Sequence, residues 1–459
     1  MARTLAERFA QFATDLKFES LPNAAVHEAK RRVLDSFGVA LGAFDADPCR
    51  IARSVALGLS AQRGATLWGT RHRAPLDWAA LANGCMVRYF DYNDTYLSKE
   101  PAHPSDNIPA AIAVAEAMGS SGRELIAAIV IAYEVQCRLC DAASLRAIGW
   151  DHVTYGCFST ALAASRLMKL DAQKTRQAVN IAGVSSAALR QSRVGELSHW
   201  KGVAFADAAR QGVYAAMLAS AGMTGPSPIF EGEKGFQKLV SGPFKIAGPF
   251  GEPPSPGNEY MINSTSIKCW PVEYHAQSAV DAALKLRAKI GDVSKIERIV
   301  VRSHDAAVDI IGSEPEKWTP TTRETADHSL PYIIAAALAD GRITDEQFAP
   351  ARFNDTKLLE LVAKVKVERD AKLSADYPRA VGNILTVKLR DGQTHTLGVD
   401  HALGHARNPM SDAEVEGKFM SLAEPRFGKA RAEKIAEWAW KLETAANVNE
   451  LPELLEVKP

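Results

Sequence analysis

Apolar positions in the first half of the chain recur at helical spacing. Behind Pro22, a residue suited to the first turn of a helix, Val26, Val33, Leu34, Phe37 and Leu41 fall on one face. Residues 112–118, 123–140, 159–170 and 205–221 continue the pattern with alanine and other small side chains, which allow helices to pack closely. This pattern predicts a helical bundle over residues 1–263. A Pro/Gly-rich stretch at 248–257 reads as a loop or boundary.

Beyond it the period changes. Residues 296–302, carrying the β-branched pair Ile299 and Val300, read as a strand, and so do residues 362–367. Residues 383–389 and 395–399 flank Arg390-Asp-Gly-Gln393, and Asp-Gly is a strong hairpin signal. Helical patterns at 275–289 and 332–340 lie among these strands. The chain then turns helical again. Ser411 and Glu414 form a capping-box pattern, and residues 426–446 continue as helix. The expected fold is mainly α: a large discontinuous all-α helical bundle domain (1–263 and 401–459) with a smaller α+β lid domain (264–400) between its two parts.

The length of 459 residues agrees with two or three units, at a prior of roughly 150 residues each. Lys plus Arg and Asp plus Glu both number 54. The neutral balance removes any global attraction for nucleic acid or anionic lipid, so a bound anion needs a local cluster of cations. Six cysteines are ordinary usage for a reducing compartment and do not make a disulfide framework. The opening residues carry charges where a signal peptide needs an apolar run. The longest smooth apolar stretch, 125–133, ends at Glu134, far short of the ~20 residues that span a bilayer. The expectation is a soluble cytoplasmic protein with no nucleic-acid or membrane partner.

Familiar cofactor motifs are absent: no G-x-G-x-x-G follows a strand, and there is no Walker A loop. Cys137 and Cys140 form a C-x-x-C inside an apolar helix without a second pair. His401 and His405 have metal-like spacing but lack the Glu of H-E-x-x-H and enclose a glycine. No cofactor and no metal are expected. More informative are Asp91, Asp94, Thr95 and His103, polar groups between two apolar helices. His103 precedes a proline and so takes an extended or turn conformation. Ser105 or Asp106 can cap the helix that follows, and a polar cluster outside a helix N-terminus suits an anion. A merely capped loop would read the same way. His152, Lys201, Lys268 and His328 each stand before or near a helix. Taken singly, such residues are more often solvated lysines or satisfied histidines than catalysts.

Together these segments resemble the MmgE/PrpD family over nearly the whole chain. The resemblance rests on Asp91-Tyr-Asn-Asp-Thr95 with His103-Pro-Ser, Gly149-Trp-Asp-His-Val-Thr-Tyr155, Trp200-Lys-Gly202, Lys268-Cys-Trp-Pro-Val-Glu-Tyr-His275 and Asp327-His-Ser-Leu-Pro-Tyr332. It implies a homodimer of chains, each a helical domain with an α+β lid and the active site between them. By motif position the site would take Asp91, Thr95, His103, His152 and Lys201 from the helical domain, and Lys268 and Tyr332 from the lid. Asn93 stands where many members have Asp, which removes one carboxylate and leaves Asp91 and Thr95. The family includes 2-methylcitrate dehydratases, cis-aconitate decarboxylases and an iminodisuccinate epimerase. Residues 189–202 look like the bacterial 2-methylcitrate dehydratase branch. The reaction so implied is dehydration of a small tricarboxylate, 2-methylcitrate or citrate. Decarboxylation and epimerisation are the alternatives.

The residue types fit that chemistry. His103, His152, Asp91, Lys201 and Tyr332 would act in catalysis, while Thr95, Lys268 and Lys201 would bind substrate. Lysines hold a dense anion and stabilise the charge that develops when a proton leaves the carbon beside a carboxylate. Histidine, with an ordinary pKa of ~6.5, can serve as base and as acid. A non-catalytic helical dimer is a reading of another class. It would be marked by a broken His103, Lys201 and Lys268 set, and all three residues are present.

Overall fold

A computed structural model describes residues 3–195, 197–250 and 260–457. Residues 251–257 of the expected boundary loop lie outside the described residues. Pro22 caps the helix Asn23–Gly42, which buries Val33, Leu34, Phe37 and Leu41. Around it stand Leu76–Tyr89, Ile108–Met118, Gly122–Ala142, Thr154–Leu167 and Trp200–Ser220. Gly122–Ala142 opens on a capping box from Ser121 and Glu124 and is buried continuously from Leu125 to Cys140. A helix buried on every side belongs at the centre of a bundle, and Cys137 and Cys140 are part of that packing. Close helix approach depends on small residues. A Cβ on Gly212 would stand 2.7 Å from the Cys157 carbonyl oxygen, and one on Gly84 2.9 Å from the Ala206 methyl.

One hydrophobic core runs from Leu5 to Ile267 and resumes from Met410 to Leu455; a second gathers residues from Val272 to Leu389. The capping box at Ser411 and Glu414 opens the helix Asp412–Phe427. Val415, Phe419 and Ala423 of that helix join the first core, and Phe419 packs against Gly38 of Asn23–Gly42. The C-terminal part of the chain therefore returns to the helical bundle.

The second core is built on a four-stranded sheet in the order Val365–Arg369, Ile296–Ser303, Asn383–Leu389, Thr394–Val399. The first pair is parallel and the other two are antiparallel. Ile299 pairs with Val387 and Val301 with Leu385, so alternate residues of both strands share the buried face. The Asp391-Gly392 turn joins the last two strands, with Gly392 at φ +89°, a conformation that glycine adopts freely. The helices Gln277–Ile290 and Leu330–Asp340 pack on this sheet. The fold is mainly α with a small α+β part. No helix among the described residues is long and apolar enough to cross a membrane.

The crossing between the two cores determines where the site forms. Thr95 and Ser266 exchange backbone hydrogen bonds of 2.8 Å in both directions. That pairing lays residues 266–268 alongside the turn that follows Leu76–Tyr89. It is the physical reason that Lys268 meets Asp91.

Candidate active site

Asp91 lies just past the end of Leu76–Tyr89 at φ +50°, a left-handed conformation that Asp tolerates better than most residues. Four groups converge on its buried carboxylate. Arg88 Nη1 and Lys268 Nζ donate to Oδ1, each at 2.6 Å. Lys201 Nζ and His328 Nε2 stand 3.4 and 3.3 Å from Oδ2. Lys268 also donates to the Asp91 carbonyl at 2.8 Å. Burial by itself would push the Asp91 carboxyl up. Arg88, Lys268, Lys201 and His328 outweigh it and hold the group well below the usual carboxylate range.

His103 sits immediately before a short turn, residues 104–107, that leads into Ile108–Met118. Its Nδ1 donates to the Asp94 carbonyl at 2.7 Å, with Thr95 Oγ1 at 3.2 Å. That bond places the ring proton on Nδ1 and leaves the Nε2 lone pair available, 4.0 Å from Asp91 Oδ1. Asp94 is itself fixed by the Tyr133 hydroxyl at 2.7 Å and the Ser105 N–H at 2.9 Å. Burial, reinforced by the charges of Arg88 and Lys268, drives His103 well below its ordinary pKa, so the ring is neutral. Its unfolded counterpart takes up a proton near pH 6.5 and the folded ring does so only at lower pH. The stabilising effect of the neutral ring is thus present above about pH 6.5 and is lost as pH falls through the folded value. Proton NMR of the ring should give a midpoint below 6.5, with the resonance identified by its absence from His103→Asn. A midpoint at or above 6.5 contradicts this geometry.

His152 repeats the arrangement from the other side. Its Nδ1 donates to Asp151 Oδ1 at 2.9 Å, while Arg193 Nε at 3.0 Å and the Ser192 hydroxyl hold Asp151 Oδ2. Its Nε2 is buried without a partner among the described residues. The His103 and His152 ring centroids are 6.0 Å apart. Burial lowers the His152 pKa, and the Asp151 carboxylate opposes that shift. Two imidazoles, each tied at Nδ1 and open at Nε2, thus flank one cation cluster.

Asp91, Thr95, His103, His152, Lys201 and Lys268 all line one cavity of about 110 Å³. Two expectations need correction. Tyr332 is not in the cavity. Its hydroxyl donates to the Gln347 carbonyl at 2.7 Å and its ring packs with Phe348 and Phe353 in the second core. The residue that reaches the site from the same motif is His328, ahead of the helix Leu330–Asp340. Its Nδ1 lies 2.5 Å from Asp327 Oδ1 and 3.2 Å from Lys201 Nζ. Lys268, in turn, is held by the helical bundle and not by the lid. Lys418 Nζ, from Asp412–Phe427, donates to the Lys268 carbonyl at 2.9 Å and the Tyr92 carbonyl at 2.7 Å, and pairs with Asp35 at 2.6 Å.

Sequence reasoning also passed over Arg88, whose i, i+3 spacing to Asp91 on a helix end was the available signal. Arg146, Arg190 and Arg193 likewise line the cavity. Elsewhere, the His401 and His405 rings lie 4.5 Å apart. No group of three or more His, Cys, Asp or Glu side chains is arranged to hold a metal among the described residues.

The sequence profile of the MmgE/PrpD N-terminal domain matches residues 7–248, and that of the C-terminal domain matches 270–443. The chain is 28% identical to a 2-methylcitrate dehydratase of Cupriavidus necator over 419 residues, covering 85% of this chain and 84% of the relative. It is 27% identical to the 2-methylcitrate dehydratase of Escherichia coli K12, with the same coverage. It is also 27% identical to the cis-aconitate decarboxylase of Mus musculus, covering 99% of this chain and 94% of the relative. With both domain profiles matched in order around a site built from the residues that carry the resemblance, this protein belongs to the MmgE/PrpD family.

Proposed function

We propose that the protein is a cytoplasmic hydro-lyase that dehydrates a small tricarboxylate, 2-methylcitrate or citrate, without a metal or other cofactor. The observation that carries this reading is the pair of open Nε2 atoms beside the cations gathered on Asp91. His103, neutral and oriented by the Asp94 carbonyl, takes a proton from the carbon next to a substrate carboxylate. Negative charge then builds on that carboxylate, where Arg88, Lys201 and Lys268 stabilise it. His152 acts as the acid in its imidazolium form, which the Asp151 carboxylate favours against burial; its Nε2 proton goes to the departing hydroxide, which leaves as water. Thr95 helps to orient the His103 ring and borders the substrate.

The named relatives support dehydration. The mouse relative supports the alternative, loss of CO2 from the same type of acid, which would use the same cations. All six cysteines are free, in keeping with a reducing compartment. A homodimer is part of this reading. Val184, Leu189, Trp200 and Tyr214 are large apolar side chains about half or more exposed on neighbouring elements, and a second copy is the occupant proposed for them. Sedimentation equilibrium at the mass of one chain would contradict it.

The lysines give the kinetic test of the binding scheme. Hydrogen bonds to charged groups contribute roughly 1.5–3 kcal/mol, so Lys201→Met and Lys268→Met should each lower kcat/KM about 10- to 100-fold. If their charge acts in the transition state, kcat falls as well as KM rising. Unchanged kcat/KM in either variant removes that lysine from the site.

A further inference from the structure

In the inner part of the cavity each cation has a carboxylate partner, with Arg88, Lys201 and Lys268 gathered on Asp91 and, for Lys201, Asp327 as well. Beside His152 the pairing is incomplete. Arg146 and Arg190 line the same cavity, and neither guanidinium has an ion-pair partner among the described residues. Glu100 lies near them, fully buried. Its Oε2 is occupied by the Ser144 hydroxyl at 2.8 Å and the Arg146 backbone N–H at 3.1 Å. Arg193 adds an orphaned donor. Its Nε goes to Asp151 at 3.0 Å and its Nη1 to the Lys201 carbonyl at 3.1 Å, while Nη2 is buried with no partner among the described residues. Its side chain is only 11% exposed.

The backbone holds these groups together. Arg190 N–H donates to the Gly149 carbonyl at 3.0 Å, and Asp151 N–H to the Ala188 carbonyl at 2.8 Å. Trp150 and Leu189 form an antiparallel bridge between them. The two segments that carry Arg146 and Arg190 are therefore paired across His152. From the lid, the Tyr377 hydroxyl contacts Arg146 and lies 3.3 Å from His275 Nε2. Two like charges brought to one wall oppose each other, and burial together with Arg146 lowers the Arg190 pKa against the pull of Glu100. An anion between them would relieve both the repulsion and the unused donors.

We propose that Arg146 and Arg190, with Arg193 Nη2, form an outer carboxylate subsite that takes the substrate carboxylate farthest from the Asp91 cluster and sets the preference for tricarboxylates over dicarboxylates. This deepens the proposed reaction and rests on it for the substrate class. Its test uses unreactive acids, so it does not depend on turnover.

Calorimetric binding of propane-1,2,3-tricarboxylate is compared with that of glutarate and methylsuccinate, which each lack one of its carboxylates. For Arg146→Met and Arg190→Met the tricarboxylate should bind about 10- to 100-fold more weakly, in line with the loss of a charged hydrogen bond. Whichever dicarboxylate lacks the outer group should bind within about twofold of the unaltered protein, since it has no contact to lose. Arg190→Lys keeps the charge, loses the bidentate fork, and should fall between; it also serves where the Met variant does not fold. Equal weakening for all three acids would overturn the subsite, because a structural or long-range role acts on each alike. No weakening for any acid overturns it too, as does a wild-type protein that binds no tricarboxylate. Binding with the expected pattern but no turnover would retain the subsite and refute the proposed reaction.

Discussion

His103→Asn is expected to lower kcat by about 10²- to 10⁴-fold, the usual effect of removing a general acid–base group, while the protein stays folded. Asparagine retains an N–H in the region of Nδ1, so the Asp94 carbonyl, which His103 engages at 2.7 Å, keeps a donor. What is lost is the Nε2 lone pair beside Asp91. The Asp91 cluster is untouched, so KM should change far less than kcat. His103→Ala should show the same kinetic loss with an added stability penalty, because a buried carbonyl left unpaired costs about 1–3 kcal/mol. Near-normal kcat in the asparagine variant would transfer the base role elsewhere, with His152 the next group of matching geometry.

Asp91→Asn is expected to have the largest effect on stability. The substitution keeps the shape and removes the one charge on which Arg88, Lys201 and Lys268 converge. Breaking a buried ion pair by removing one partner typically costs about 3–5 kcal/mol, since the remaining charge stays desolvated. Lys268, already lowered by burial and by Arg88 and sustained by Asp91, loses its main support. A bound tricarboxylate supplies negative charge at the same place. The rise in melting temperature on adding propane-1,2,3-tricarboxylate should therefore be larger for Asp91→Asn than for the unaltered protein. Thermal denaturation with and without the ligand checks both statements. An unchanged melting temperature in the absence of ligand would mean that the cations are not held by Asp91.

The local elements were legible because their causes are local. The helical spacing behind Pro22, the Ser411 and Glu414 capping box and the Asp391-Gly392 hairpin each depend on a few adjacent residues, and each forms where the pattern placed it. Six of the seven expected site residues meet in one cavity, because the motifs that carry the family resemblance are the ones that build it. What the sequence withheld depends on distant contacts. The attachment of Lys268 to the bundle comes from the Thr95–Ser266 pairing and from Lys418, 150 residues further along. The choice between His328 and Tyr332 turns on which way each side chain leaves one short motif. Periodicity gives no information about that, and the Gln347 carbonyl that captures the Tyr332 hydroxyl lies outside the motif.

Dehydration of a small hydroxy-tricarboxylate is the reaction proposed for this site. Purified protein in chelator-containing buffer, given 2-methylcitrate, citrate and cis-aconitate in separate reactions followed by proton NMR and by CO2 release, tests it most directly. 2-methylcitrate or citrate should be converted to its alkene with loss of water, chelation should leave the rate intact, and cis-aconitate should release no CO2. Inert hydroxy acids, a rate abolished by the chelator and restored by one divalent ion, or CO2 evolved from cis-aconitate would contradict it.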